Sequence, residues 1–175
     1  MQHTMNVPHQ APVESLLDLK FHQVAIYHHN PEQAILWWSN LGFGNWHRDH
    51  AILQGLEDGL ESQKSATMVF NYDIMPLELE YVSYHGPRNQ HDPRDGSQPF
   101  ISHLSTIVDD VDQKAYELTI TLGRAPYHRF VTGKHTNPNV VGKKRFREAI
   151  FDTASLFGFD IKLIQRVPWS YDGES

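Results

Sequence analysis

The sequence contains no cysteine, which excludes disulfide bonds, thiolate metal ligands and a cysteine nucleophile. It also lacks a basic excess: the formal net charge is −6 with histidine neutral, which argues against a nucleic-acid-binding protein. No run approaches the roughly 18 apolar residues that a membrane helix requires. The first 12 residues lack the apolar core of a signal peptide. These absences favour a cytoplasmic protein that binds neither nucleic acid nor membrane.

Histidine, in contrast, is abundant, with 12 residues in a chain of 175. Imidazole is the commonest metal ligand near neutral pH, so metal binding has to be considered. Other catalytic signatures are missing from the sequence: a glycine-rich phosphate loop, a Gly-x-Ser-x-Gly elbow and a His-Glu-x-x-His helix. The chemistry therefore has to be sought in residues that the fold brings together.

One order of elements, a strand, a helix and three further strands, occurs twice in the chain. Each copy opens with an alternating strand, at 21–27 and at 101–107, followed by helix-starting residues such as Asn30-Pro31. Apolar residues at helical spacing then predict a buried helix face in each copy. These residues are Ala34, Ile35, Trp38 and Leu41 in the first copy and Val111, Ala115, Leu118 and Leu122 in the second. The remaining strands are predicted at 45–53, 66–72 and 77–82, and at 127–131, 145–151 and 159–164.

The repeat divides the chain into a first βαβββ module at 20–87 and a second at 100–167. A linker rich in Pro, Gly, Asn and Asp joins them at 88–99. Residues 1–19 are expected to be a disordered tail and 168–175 a C-terminal tail. The fold class is α+β: each four-stranded sheet carries its helix on one face. The other faces curl around a shared central cleft, into which residues of alternating parity point.

Several motifs within residues 20–166 resemble a known superfamily. They are 22–26 with Asn30-Pro31 and Leu41-Gly42-Phe43, His103-Leu104-Ser105 with 108–112, and the strand-end segments 79–87 and 151–158. In order and spacing they resemble the vicinal oxygen chelate superfamily of glyoxalases, bleomycin-resistance proteins and extradiol dioxygenases. The resemblance implies two βαβββ modules on a curled sheet, usually with a divalent metal in the cleft.

The resemblance also implies where such a metal would bind, on the first and last strands of each module. The matching positions are Gln23, Glu80, His103 and Lys162. An amide oxygen, a carboxylate and an imidazole can together hold Zn, Ni, Mn, Co or Fe. Lys162 departs from the pattern, because a protonated amine has no lone pair to donate.

Three arrangements are compatible with Lys162. The site keeps three protein ligands; or Asp160, on the same strand face, supplies the fourth; or no metal binds and Lys162 pairs with Glu80. Glu78 shares a strand face with Glu80 and is an alternative ligand. By strand alternation, His22 is expected to point away from the cleft, toward the helix.

The donor residues and the resemblance favour an enzyme, a glyoxalase-like metal-dependent lyase or isomerase acting on a small oxygenated molecule. Glu80 would be its catalytic proton carrier. The alternative, favoured by Lys162, is a metal-free protein of the bleomycin-resistance type that binds or sequesters a small molecule. In both cases the expected partner is a small molecule, and homodimer formation is left open.

Overall fold

The computed structural model describes residues 19–86, 98–135 and 144–168. Most of the expected N-terminal tail, linker and C-terminal tail lies outside these ranges. The first module comprises β1 (Phe21–Tyr27), α1 (Pro31–Asn40), β2 (His47–Glu57), β3 (Leu60–Asn71) and β4 (Glu78–His85). The second comprises β5 (Phe100–Ile107), α2 (Val111–Leu122), β6 (His128–His135), β7 (Lys144–Phe151), α3 (Ala154–Phe157) and β8 (Asp160–Pro168). Within these ranges, no helix has the length and hydrophobicity needed to span a membrane.

The eight strands form one curled sheet that closes into a barrel in the order β1-β4-β3-β2-β6-β7-β8-β5. The α+β architecture of two βαβββ modules, predicted from the repeat, is therefore confirmed. The modules join along two antiparallel seams, β1 with β5 and β2 with β6, both within a single chain. An eight-stranded barrel is narrow enough for side chains to fill its interior.

The seam between β2 and β6 depends on Gly55. A Cβ atom at this position would lie 2.0 Å from the backbone oxygen of Arg129, so only glycine permits this close approach. Strands β2 and β3, which form a hairpin beside this seam, extend closer to each other along the chain than the sequence patterns predict. Asp58 and Gly59 both have positive φ, 52° and 78°, as a two-residue hairpin turn requires, and β2 and β3 pair up to that turn.

Both main helices pack on the outside of the barrel, and their capping residues set where they begin. The side chain of Asn30 accepts a hydrogen bond from the Gln33 backbone N–H at the start of α1, and Asp110 caps α2 in the same way. The buried faces are as predicted except for Leu41, which follows the end of α1 and is exposed. Under α1 lie Val69, Leu79 and Tyr81; under α2 lie Ala149, Phe151, Ile161 and Leu163.

The inner faces of both modules meet in the barrel, where apolar and polar side chains lie side by side. The apolar part is formed by Ala25, Ala51, Leu53, Ala66, Val82 and Phe130. Charged side chains are buried in the same interior, which is unusual for carboxylates and lysines unless they are paired. They form the candidate site.

Candidate functional site

Glu80 and His103 meet inside the barrel because of strand register. Ala25 on β1 pairs with Glu80 on one side and with His103 on the other. A methyl side chain at position 25 leaves room for the two larger side chains to approach each other. Glu80 Oε2 lies 3.5 Å from His103 Nε2, and both residues are almost completely buried. Neither atom makes a hydrogen bond. At this separation their contact is electrostatic.

His103 is held with its other ring nitrogen against the Ser102 hydroxyl, at 3.1 Å. Burial lowers the pKa of His103, and the positive charge of Lys162 lowers it further, against the opposing effect of Glu80. The imidazole is therefore neutral near pH 7. With its proton on Nδ1, the neutral ring would present the Nε2 lone pair beside the Glu80 carboxylate, where it could bind a cation or a proton.

Gln23 lies two residues before Ala25 on β1, and both ends of its side-chain amide form hydrogen bonds. Its Nε2 donates a hydrogen bond to Glu78 Oε1, and its Oε1 accepts one from the Ser105 hydroxyl. Burial, together with the negative charge of Glu80, raises the pKa of the Glu78 carboxyl. Burial and Glu78 also raise the pKa of Tyr72 to about 12. Glu78 is thus a carboxyl that keeps a proton at a higher pH than an ordinary glutamate.

Lys162 pairs with Glu148 and not with Glu80, which corrects the third of the arrangements that the sequence left open. Its Nζ lies 2.6 Å from Glu148 Oε2, and Glu148 Oε1 lies 3.3 Å from Nε2 of buried His128. Burial disfavours the charged form of Lys162, but the negative charges of Glu148 and Glu80 outweigh burial and raise its pKa. Burial likewise opposes ionisation of Glu148, yet Lys162 and His128 lower its pKa well below the usual range.

Glu148 is a residue of the interior that the sequence analysis did not single out. It stands on β7 directly opposite Phe130 of β6, so both side chains point into the barrel. The sequence contained a weak signal, because Glu148 alternates with Phe146 and Ile150 in a run that also contains two arginines. Only the pairing of β7 with β6 and β8 shows that the carboxylate points inward.

Asp160, the alternative fourth ligand, is occupied in the turn before β8. Its Oδ1 accepts hydrogen bonds from the backbone N–H groups of Thr153 and Ala154, and its Oδ2 accepts one from the Tyr127 hydroxyl. Three donors on two oxygens give this carboxylate a structural role at the start of α3. We therefore leave it out of the candidate site.

His22 does not follow the strand alternation from which its orientation was predicted. The register of β1 against β5 shifts between Phe21 and Gln23, which marks a β-bulge at His22. Burial lowers the pKa of His22, and the charges that act on it are those of Arg166, Lys162 and Glu80. The ring is therefore part of the electrostatic environment of the interior site, and its Nδ1 is buried without a partner.

The donors at Glu80 and His103 fit a divalent cation. Oxygen and nitrogen ligands that share a cation at ~2.0–2.2 Å lie roughly 3–4 Å apart, and this pair is separated by 3.5 Å. Among the side chains that the structure describes, no three histidine or acidic residues converge on one point. Further coordination would come from Gln23 or Glu78, once separated from each other, or from water and ligand oxygens.

A surface pocket of about 560 Å³ lies outside the barrel, beside the β2–β3 turn. Its lining includes Arg124, Tyr127 and Asp152 but none of the interior carboxylates that face Lys162 and His103. The unpartnered donor atoms are inside the barrel, so we place the candidate site there.

No family model matches the chain, and no curated protein matches it. Solved structures similar to it include a methylmalonyl-CoA epimerase from Mycobacterium tuberculosis, with 17% identity over 85% of this chain and 88% of that chain (TM-score 0.43). A hypothetical protein from Bacillus halodurans is similar at 13% identity over 90% and 99% of the two chains (TM-score 0.48). A 4-hydroxymandelate synthase variant from Streptomyces coelicolor is similar at 12% identity over 86% and 48% (TM-score 0.48).

Likeness at this level carries no conclusion about ligand or reaction. The fold assignment rests on the element order and strand pairing of the chain itself. These agree with the two-module architecture that the resemblance to the vicinal oxygen chelate superfamily implies.

Proposed function

We propose that this chain binds a divalent cation through Glu80 and His103, and with it a small oxygenated molecule on which it acts as a lyase or isomerase. The observation that carries the proposal is the pair of buried, unpartnered donor atoms 3.5 Å apart. Buried polar atoms without partners are rare in folded proteins and usually have a functional explanation. A cation bound between Glu80 Oε2 and His103 Nε2 would give both atoms a partner.

The charge balance of the interior supports this proposal. Of the buried glutamates, Glu57 has Lys64 as a partner and Glu148 has Lys162. Within the described ranges, no lysine or arginine lies within salt-bridge distance of Glu78 or Glu80, so the Glu80 carboxylate has no direct cationic partner. Burial of an unpaired carboxylate is costly, and a bound cation would offset that cost.

A bound cation would act as a Lewis acid on neighbouring ligand oxygens and stabilise developing negative charge. The residues of the chain would perform the proton transfer. The raised pKa of Glu78 suits this residue to act as a general acid. Glu80 lies next to the neutral imidazole of His103, where the cation would bind. The Glu78 carboxyl could then pass a proton to a ligand bound beside it.

A metal-free binding function is the second candidate, and Lys162 favours it. Its ammonium is charged and buried near Glu80, and it lowers the pKa of His103. A positive charge at this place repels a second cation and could itself hold an anionic oxygen of a ligand. The balance between this repulsion and the attraction of the Glu80 carboxylate decides between the two candidates.

The test is titration of untagged protein with Zn, Ni and Mn by calorimetry, with elemental analysis of the dialysed samples. We expect one cation per chain, and at least about a tenfold loss of affinity in Glu80→Gln and in His103→Gln, because each removes a direct ligand. Glu61→Gln, at an exposed carboxylate on β3, is the matched control and should bind like the parent. Lys162→Met should raise metal affinity. A parent that binds none of the three metals would favour the metal-free candidate.

A further inference from the structure

Three buried side-chain atoms lack a hydrogen-bond partner among the described residues: Glu80 Oε2, His103 Nε2 and His22 Nδ1. The first two face each other and account for the proposed cation site. The third is not needed there, since no three histidine or acidic side chains in the described ranges converge on one point. Nδ1 of His22 is therefore a buried polar atom that the proposed cation site leaves without a partner.

The β-bulge explains why His22 belongs to this interior. In a regular strand, residues 22 and 23 would point to opposite faces. The extra residue in β1 disrupts that alternation, and bulges commonly re-aim a side chain toward a site. The charges that act on the ring, those of Arg166, Lys162 and Glu80, belong to β8 and β4, the strands on either side of the β1–β5 pair.

The hydrogen bonds of His22 fix which nitrogen is free. The ring bonds to the backbone of Ser105, and this bond raises the pKa of His22, as donation from a ring N–H to a carbonyl oxygen does. Since Nδ1 has no partner, we assign the donated proton to Nε2. A neutral imidazole that carries its proton on Nε2 keeps a lone pair on Nδ1, which is then an acceptor.

We infer that Nδ1 of His22 accepts a hydrogen bond from a hydroxyl group of the bound small molecule, and so selects hydroxylated ligands. A buried acceptor gains a partner when such a ligand binds, whereas a ligand without the hydroxyl leaves it unpaired. The inference deepens the proposed function, because it places the ligand in the interior beside Glu80. It does not require that a metal be present.

The direct test is NMR of the imidazole nitrogens in uniformly ¹⁵N-labelled protein without added metal, with the His22 signals assigned by their loss in His22→Phe. Glycolate is the probe, and fluoroacetate is its match in size and charge without a proton to donate. In the free protein we expect Nε2 of His22 to be protonated and Nδ1 to be unprotonated. Glycolate should shift the Nδ1 signal, and fluoroacetate should not. A proton on Nδ1, no response to glycolate, or equal responses to both probes would each overturn the inference.

Binding measurements on variants separate this role from metal ligation. His22→Phe keeps a ring of similar size and removes the acceptor, so glycolate should bind about five- to tenfold more weakly, as expected for the loss of one hydrogen bond. Its affinity for fluoroacetate should be unchanged. His29→Phe, at an exposed histidine near the end of β1, is the control and should bind both probes like the parent.

Zinc titration of the same variants completes the test. His22→Phe should bind zinc as the parent does; a loss of zinc affinity would make His22 a metal ligand and overturn the inference. If the parent binds no zinc but its Nδ1 signal still responds to glycolate alone, the cation proposal fails and the role of His22 stands. The two proposals can therefore fail separately.

Discussion

The ion pair between Lys162 and Glu148 should be the most costly interaction of the interior to break. Glu148→Gln keeps the size and shape of the side chain and removes its charge. Lys162 is 8% exposed, and its ammonium, 2.6 Å from the carboxylate in the parent, would then remain buried without its partner. Removing one member of a buried ion pair typically costs about 3–5 kcal/mol, because the remaining charge is uncompensated.

For a chain of this size, each kcal/mol corresponds to roughly 2–4 °C in melting temperature. Glu148→Gln should therefore melt roughly 6–20 °C below the parent. Thermal unfolding followed by circular dichroism gives the shift, and urea titration gives the change in the free energy of unfolding.

The double variant Glu148→Gln with Lys162→Met supplies the control, since it removes both charges. Replacing a buried ion pair by uncharged side chains is often close to neutral, so most of the stability should return. A loss below about 1 kcal/mol in the single variant would refute the reasoning. It would mean that the ammonium reaches Glu80 or water as easily as Glu148.

Three other outcomes can be measured. Burial lowers the pKa of His128 to about 4 from 6.5, so the unfolded chain binds a proton that the folded chain does not, and stability should fall as the pH drops through this window. The fall should be roughly 3 kcal/mol in urea titrations at several pH values, and His128→Asn should flatten it. Gly55→Ala should destabilise by about 1–3 kcal/mol or more, because its Cβ would collide with the Arg129 carbonyl. Gly44→Ala is the control and should not destabilise the fold, because its added Cβ meets nothing within 4 Å. Equal losses of stability in the two variants would contradict the close approach of β2 and β6 at Gly55. Asn30→Ala should lose about 1 kcal/mol with the N-cap of α1, and no change in denaturant midpoint would contradict that role.

The sequence was sufficient for the architecture because its patterns are local. Asn30-Pro31 and Asp110 mark helix starts through their own hydrogen bonds, and alternation over seven or eight residues marks strands. The same local rules missed the true length of β2 and β3. There the Asp58-Gly59 dipeptide was the informative feature, as a two-residue turn with positive φ at both positions.

The candidate site depended more on tertiary structure. Sequence resemblance implied Glu80 and His103 as members of one site, and the register around Ala25 brings their atoms to 3.5 Å. The partner of Lys162 was missed, because Glu148 is 14 residues away along the chain and reaches it only through the pairing of β7 with β8.

Sequence by itself therefore determined the repeat, the order of elements and the parity with which most side chains enter the barrel. Parity is a property of the backbone, so it can be read along one strand until a bulge interrupts it, as at His22. Only the tertiary structure decided which inward-pointing charges meet and which stay unpaired. Those outcomes depend on distances between strands that are far apart in the chain, on barrel closure at Gly55, and on the cost of leaving a buried charge or donor without a partner.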